Sequence, residues 1–351
     1  MTAEAAATDS RIDDLMASAV LAVEGQELVG RDLLAAGIVS GRWQVLEHQL
    51  ALGIGLVVAQ EPPAEEVSEE LRTFRLARGL LSGEDMRAWL RVRNLTIGAV
   101  KAFAARVVAR RHGGVPDSVT PEQVAPELVA EAICSGALQE LGWWLADRIL
   151  SATATDARID PVALEAPRVQ QLVFEEARTV AGAMTADSGL ARAERLAWIA
   201  ALDDTHRAWE ATVTAPDEVS RRLREHELDW CRFELDELRL DSEGAAAEAS
   251  RQLADGADAP QVAAAADAAL TVYPMVLADA GPEMARALSG AVVGDVAGPW
   301  ADGDQHVVAR VRERRAPDVD DEQIVERARA ELLADAAGRL RAGRVLWHER
   351  A

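Results

Sequence analysis

The chain has little of what disulfide-stabilised, membrane-spanning and nucleic-acid-binding proteins require. Its two cysteines, Cys134 and Cys231, lie far apart and in no metal or disulfide motif, so two buried thiols are expected. No run of 18 apolar residues is present, and no membrane-spanning helix is therefore expected. Basic residues number 37 against 59 acidic ones, and the net charge of −22 disfavours binding to nucleic acid or to anionic membranes.

Several functional signatures are also missing. The N-terminal residues show no basic segment before an apolar core, so we expect no secretory signal and a cytoplasmic protein. Gly-x-Ser-x-Gly, P-loop and dinucleotide fingerprints are absent. Acidic stretches such as "ELDELRLDSE" lack the ligand spacing of a metal site, and the sequence therefore predicts neither a metal ion nor another cofactor.

Helical patterns fill most of the chain. A first helix is predicted over residues 10–24, and Ser82 and Thr96 are typical residues for the start of two further helices. Residues 120–214 predict a second helical block. The apolar spacing after Asp318 predicts one long helix that continues to the end of the chain.

Two stretches depart from this helical pattern. "WCRFELDELRLD", which begins at Trp230, alternates apolar and acidic residues and predicts a half-buried strand. "GAVVGDVAGPWADGDQHVVARV", residues 290–311, combines a turn, a Gly-Pro-Trp segment and a run that places Val307 and Val308 on opposite faces of a strand. This second strand carries His306.

The order of these features resembles the parvulin-type (PpiC-like) peptidyl-prolyl isomerase domain. "MARALSGAVVGDVAGPW" is similar to the family's helix running into Gly-Glu-Val-Ser-Gly-Pro, and "QHVVARVRER" is similar to its closing strand. The resemblance extends from Trp230 to Arg314. The N-terminal helices, together with the C-terminal helix, are similar to SurA/PrsA-type chaperone-foldases, in which helices from both ends of the chain pack into one module.

The chain also departs from the parvulin pattern. Active members carry a histidine in the first strand, whereas here Glu237 falls near that place and His226 lies too early. The family's Gly-Gly-x-Leu-Gly segment is missing, since "DAALTVYPMVLADAGPEM" holds a single glycine. Only His306 remains of the family's paired histidines, so the resemblance implies a degenerate isomerase domain and assigns no catalytic residue.

The resemblance implies peptide binding at a small set of residues. They are His306, Met284, Met275, Trp300 and Phe233. Each also has a purely structural interpretation, because a strand histidine fixes packing, methionine fills cores and tryptophan anchors them.

The sequence predicts a mainly α protein with a small α+β parvulin-like domain, and a helical chaperone-like module formed by the N-terminal helices and the C-terminal helix. The predicted domains are an N-terminal SurA-like module (1–115), a central helical block (116–226), the degenerate parvulin-like domain (227–315) and a C-terminal helix packing back on the first module (316–351).

The expected function is a chaperone-like factor that binds an extended or partly folded peptide. Parvulin-related proteins occur beside enzymes that mature ribosomally synthesised natural products (RiPPs). This implies a RiPP precursor and a maturation enzyme as partners. Two alternatives remain open: an active prolyl isomerase that uses His306, and a peptide-modifying enzyme built on the same fold.

Overall fold

The computed structural model describes residues 14, 16–159, 165–184 and 189–348. The chain divides into two compact units: unit 1 comprises residues 1–210 and 337–351, and unit 2 comprises residues 211–336. The protein is mainly helical with two small antiparallel sheets, which confirms the predicted fold class. No helix within the described ranges is long and apolar enough to cross a membrane.

Unit 1 combines a short sheet with a set of helices. Its strands are β1 (Ala19–Val23), β2 (Gln26–Val29) and β7 (Val345–Trp347). Its helices are α1 (Gly30–Val39), α2 (Arg42–Ala59), α3 (Ala64–Ala77), α4 (Gly83–Val92), α5 (Ile97–His112), α6 (Pro121–Cys134), α7 (Ala137–Ala154), α8 (Ala166–Arg178), α9 (Val180–Met184) and α10 (Gly189–Val213), whose last three residues belong to unit 2.

The sheet of unit 1 corrects two predictions. Residues 19–23 were expected in a helix but form β1, because a turn at Glu24 and Gly25 (φ of 51° and 84°) folds the chain back onto β2. Residues 10–13 and residue 15 of that predicted helix lie outside the described residues. The C-terminal helix ends at Arg341 instead of continuing to the end, and β7 pairs with β1 after a turn at Gly343.

The predicted helix starts at Ser82 and Thr96 are confirmed. The Ser82 hydroxyl accepts a hydrogen bond from the backbone N–H of Asp85 (3.0 Å), and the Thr96 hydroxyl accepts one from Ala99 (3.1 Å). These bonds satisfy N–H groups that have no partner within the first turn of a helix, which is why serine and threonine favour this position.

The largest hydrophobic cluster of unit 1 surrounds the buried Trp43 on α2. The Trp43 indole N–H donates to the Glu47 carboxylate (2.9 Å), which also accepts from the backbone N–H groups of Val180 (3.0 Å) and Ala181 (3.2 Å). Glu47 therefore caps α9 from α2. Burial raises the pKa of Glu47, although the three hydrogen bonds oppose that rise.

Both cysteines are free and buried, as expected. Cys134 ends α6 within a cluster that contains Phe74 and Phe103. Burial raises the pKa of its thiol to about 12, so the reactive thiolate is scarcely populated near neutral pH.

Unit 2 contains a four-stranded sheet with helices. Its elements are α11 (Pro216–Glu225), β3 (Arg232–Leu240), α12 (Glu243–Ala254), α13 (Ala259–Ala265), β4 (Ala269–Val276), a 3-10 turn (Leu277–Asp279), α14 (Pro282–Leu288), β5 (Val296–Asp302) and β6 (Gln305–Arg315). Residues 322–336 of the next helix, α15 (Glu322–Arg341), also belong to unit 2. The strand order is β4-β3-β6-β5, and all neighbours are antiparallel.

The central strand β3 is buried on both faces, which corrects the prediction of a half-buried strand. Phe233 and Leu235 join a cluster with Leu277 and Leu288, and we call this side the α14 face. Leu238 and Leu240 join a separate cluster with residues of α12 and α13, which we call the α12–α13 face. The buried apolar residues occupy odd positions in the first part of β3 and even positions in the second part. Because successive side chains of a strand point to opposite faces, a separate layer covers each face of the sheet.

Replacement of Gly55 tests the packing of α2 in unit 1. A Cβ at Gly55 would clash with the carbonyl oxygen of Asp117 and lie 3.0 Å from Pro116, both in the loop between α5 and α6. We expect Gly55→Ala to lower the free energy of unfolding by about 1–3 kcal/mol, because backbone must shift to admit the methyl group. Gly338→Ala is the matched control in α15, where nothing lies within 4 Å, and should raise stability by about 0.5–1 kcal/mol. Urea titrations that give equal effects would contradict this packing.

His206 in α10 makes the stability of unit 1 depend on pH. Its Nδ1 lies 3.0 Å from Ser151 Oγ, its Nε2 lies 3.2 Å from Glu210 Oε1, and its ring stacks on Trp209. Burial first, and then the charge of Arg148, lowers the pKa of this imidazole from its usual 6.5. The unfolded chain therefore binds a proton that the folded chain excludes, so stability should fall as pH drops below about 6.5.

The measurement is the urea midpoint between pH 7.5 and pH 5.5 for the wild type and for His206→Asn, which cannot titrate. We expect the wild type to lose more stability than the variant across this interval. Parallel pH profiles would show that His206 does not contribute.

Candidate functional site

Four of the five sequence-predicted residues lie together on the α14 face. Phe233 is in its buried cluster, and Met275 on β4, Met284 on α14 and Trp300 on β5 pack against that cluster while remaining partly exposed. The sheet register brings the first pair together, since Phe233 lies opposite Met275. The four residues come from four different elements, yet they form one continuous apolar surface.

The fifth residue, His306, lies on the other side of the sheet. It is opposite Leu240, which belongs to the α12–α13 face, and directly opposed residues of neighbouring strands share a face. The next residue, Val307, is opposite Trp300 and therefore points to the α14 face. The structure does not bring His306 together with the methionines and Trp300.

A buried carboxylate occupies the α14 face instead. Glu237 is 5 % exposed and lies opposite Thr271 and Ala309 in the two neighbouring strands. Its Oε1 accepts a hydrogen bond from Nε of Arg239 (2.9 Å), whose Nη1 donates to Asp302 on β5 (2.8 Å). The hydrogen bond to Asp302, followed by the charge of Glu237, raises the pKa of Arg239, so this guanidinium stays charged.

Three residues of this face were not singled out from the sequence. Arg239 and Asp302 complete the ionic chain from Glu237, and Tyr273 lies opposite Leu235 with 45 % of its surface exposed. A signal for Tyr273 was available, because it is the only tyrosine in the chain and lies within a short apolar run. The ionic chain depends on strand register, which the sequence does not reveal.

Gly298 positions Trp300 on this face. Its φ is +99°, a conformation that favours glycine, and a Cβ there would lie 2.6 Å from the carbonyl oxygen of Val307 and 2.9 Å from the Trp300 ring. The ring therefore packs directly over the backbone of residue 298. This close approach explains the Gly-Pro-Trp segment that marked this stretch of the sequence.

The α14 face combines apolar and ionic groups. Thioether and indole groups, and the phenol of Tyr273, share this face with Glu237, a carboxylate that is already paired with a guanidinium. Within the described residues, no group of three or more His, Cys, Asp or Glu side chains could hold a metal ion. Cys231, which also belongs to this cluster, is buried and accepts a hydrogen bond from Nε of Arg314 (3.3 Å).

The sequence and the fold were compared with those of known proteins. No family model matches the chain, and no curated protein matches it. Among solved structures, one match is described in a study of the virulence factor PEB4 and the periplasmic protein Cj1289 as SurA-like chaperones of Campylobacter jejuni. The match has 10 % sequence identity and a TM-score of 0.18, and covers 94 % of this chain and 99 % of the other. A TM-score of this size does not indicate a shared fold.

Removal of the Arg239 side chain tests the ionic chain. We expect Arg239→Ala to lower the free energy of unfolding by about 1–2 kcal/mol, because the buried Glu237 carboxylate loses its cationic donor. Glu237→Gln in the same background should recover part of this loss, since a neutral amide is less costly to bury. A double-mutant cycle from urea titrations measures the coupling. Additive effects of the two substitutions would contradict the interaction.

Proposed function

We propose that the protein is a chaperone-like, peptide-binding factor whose α14 face takes an extended or partly folded polypeptide segment. The observation that carries this proposal is the convergence of Met275, Met284 and Trp300, all partly exposed, on the cluster that contains Phe233. Methionine and aromatic side chains adapt to varied apolar ligands because they are polarisable and bury a large area. Tyr273 extends the same surface toward the edge of the sheet.

Binding is favoured over catalysis by the arrangement of the charged groups. Prolyl isomerisation must overcome a barrier of about 18–20 kcal/mol, which falls when an apolar slot weakens the resonance of the amide. The imidazole of His306 lies on the face away from the methionines, and Glu237 is already neutralised by Arg239. The α14 face therefore retains the apolar surface that holds a peptide, without an accessible histidine.

The proposal extends to the nature of the client. Residues 211–336 contain 27 acidic and 13 basic residues, so unit 2 carries −14 of the protein's net charge of −22. Such a surface attracts basic polypeptides at long range. A RiPP precursor presented to a maturation enzyme is the specific client that the resemblance to parvulin-related proteins implies.

Peptide titrations followed by fluorescence anisotropy test the α14 face. The probe is a fluorescein-labelled, ten-residue peptide of apolar residues and one proline, added to the full chain. We expect Tyr273→Ala and Met284→Ala to weaken binding by about fivefold or more, as loss of a contact residue worth about 1 kcal/mol predicts. Leu346→Ala is the control, because Leu346 is an exposed apolar residue (68 %) in unit 1.

Circular dichroism should show that each variant remains folded. Unchanged affinity in both α14-face variants would overturn the assignment of the site. An isomerisation assay on a proline-containing tetrapeptide addresses the alternative activity, and we expect no acceleration. Acceleration that His306→Ala abolishes would replace the binding function with an enzymatic one.

A further inference from the structure

Among the described residues, β4 is an edge strand that pairs with β3 alone, and its other edge is outside the ladder. The N–H of Leu277 donates to the carbonyl of Cys231 (3.0 Å), which lies opposite it in the β3–β4 register. In an antiparallel pair, alternate residues direct both backbone groups to the partner, so residues 271, 273 and 275 face β3 as well. Residues 270, 272, 274 and 276 consequently direct their backbone groups away from the sheet.

The position of Pro274 agrees with this assignment. A proline inside a sheet is tolerated where its missing N–H would point away from the ladder, and residue 274 is such a position. Pro274 also limits the outer edge, because an incoming strand finds no donor there. The part of the edge that can accept a strand is therefore Ala269–Tyr273, in which Val272 is 43 % exposed and Tyr273 is 45 % exposed.

The chain segment that contains β4 carries charge of one sign. From Gln252 to Ala285 the chain contains five carboxylates and no basic residue. Asp279 pairs with Arg327. Within the described part of the chain, the other four form no ion pair: Asp255, Asp258, Asp267 and Glu283. The strand itself, ALTVYPMV, is uncharged.

We infer that the outer edge of β4 binds an extended, cationic polypeptide segment as an additional strand of the sheet. Backbone hydrogen bonds at Leu270 and Val272 supply the attachment, and the carboxylates of the chain segments before and after β4 select lysine and arginine side chains. A second copy of the chain is a poor occupant, since pairing β4 with β4 would bring two sets of these carboxylates together. The inference rests on the proposed function only in assigning polypeptide binding to unit 2.

Val272→Pro tests the backbone attachment directly. The substitution removes an outward N–H while leaving the ladder to β3 intact, as Pro274 already does two residues away. Val272→Ala is the matched control, which loses the side chain and keeps the N–H. The probe is a fluorescein-labelled, eleven-residue peptide of alternating lysine and valine, titrated into the full chain. We expect Val272→Pro to weaken binding by at least tenfold and Val272→Ala by less than threefold.

A second variant tests the charge selection. Asp255→Asn, Asp258→Asn and Asp267→Asn are combined, because asparagine is also favoured at the N-cap position of α13 (residue 258) and in the left-handed backbone conformation of residue 267 (φ of 50°). We expect severalfold weaker binding and a smaller dependence on salt. Glutamate in place of lysine in the peptide should abolish binding, and N-methylation of its five central amides should do the same.

Two results would overturn the inference: equal affinity of Val272→Pro and Val272→Ala, or normal binding of the N-methylated peptide. If either result is found while Tyr273→Ala still weakens binding of the apolar proline peptide, the proposed function is unaffected. If Val272→Pro abolishes binding of the lysine-valine peptide but the wild-type protein does not bind the apolar peptide, the proposed function is overturned and this inference stands. Sedimentation that shows a dimer dissociated by Val272→Pro would assign the edge to a second copy instead.

Discussion

The burial of β3 on both faces is the constraint on which unit 2 depends. Phe233 and Leu235 require one covering layer, and Leu238 and Leu240 require another on the opposite side. Arg232, Glu234 and Arg239 of this strand are partly exposed, whereas Asp236 and Glu237 are both buried between the layers. Each carboxylate is paired with an arginine on its own side: Arg310 for Asp236 (2.9 Å) and Arg239 for Glu237. Because the side chains of β3 alternate between its two faces, each layer receives two of these apolar residues and one of these ion pairs.

The same alternation of side chains places His306 on the opposite face of the sheet from the other four candidate residues. His306 keeps the sequence context of a closing strand, but its side chain belongs to the α12–α13 face, beside Leu240. Trp300 and Met284 remain on the α14 face, where Glu237 is the central polar group. A carboxylate that is paired with a guanidinium carries no uncompensated charge and lacks the neutral, proton-accepting nitrogen of an imidazole.

Local chemistry determined how much of the fold and the site could be predicted. The helix starts at Ser82 and Thr96 follow from capping within three residues, and β6 follows from its own alternating pattern. β1 and β7 were missed because strands of five and three residues acquire their pairing from opposite ends of the chain. β4 and β5 were not predicted either, since an apolar run such as ALTVYPMV is compatible with helix or strand. Phe233, Met275, Met284 and Trp300 could be named from the sequence, whereas the face of His306 depends on a register that only the folded sheet fixes.

The pairing of β1 with β7 has a consequence for biosynthesis. Leu21 is synthesised 326 residues before its partner Trp347, so the sheet of unit 1 stays incomplete while the residues between them are translated. All of unit 2 is synthesised before β7 appears, and it can collapse while unit 1 still lacks a strand. Loop-closure entropy grows only logarithmically, by about 0.6 kcal/mol for each doubling of length, so the long separation delays the closing contact without making it weak. A nascent chain stalled after residue 336 would thus leave β1 with one unpaired edge.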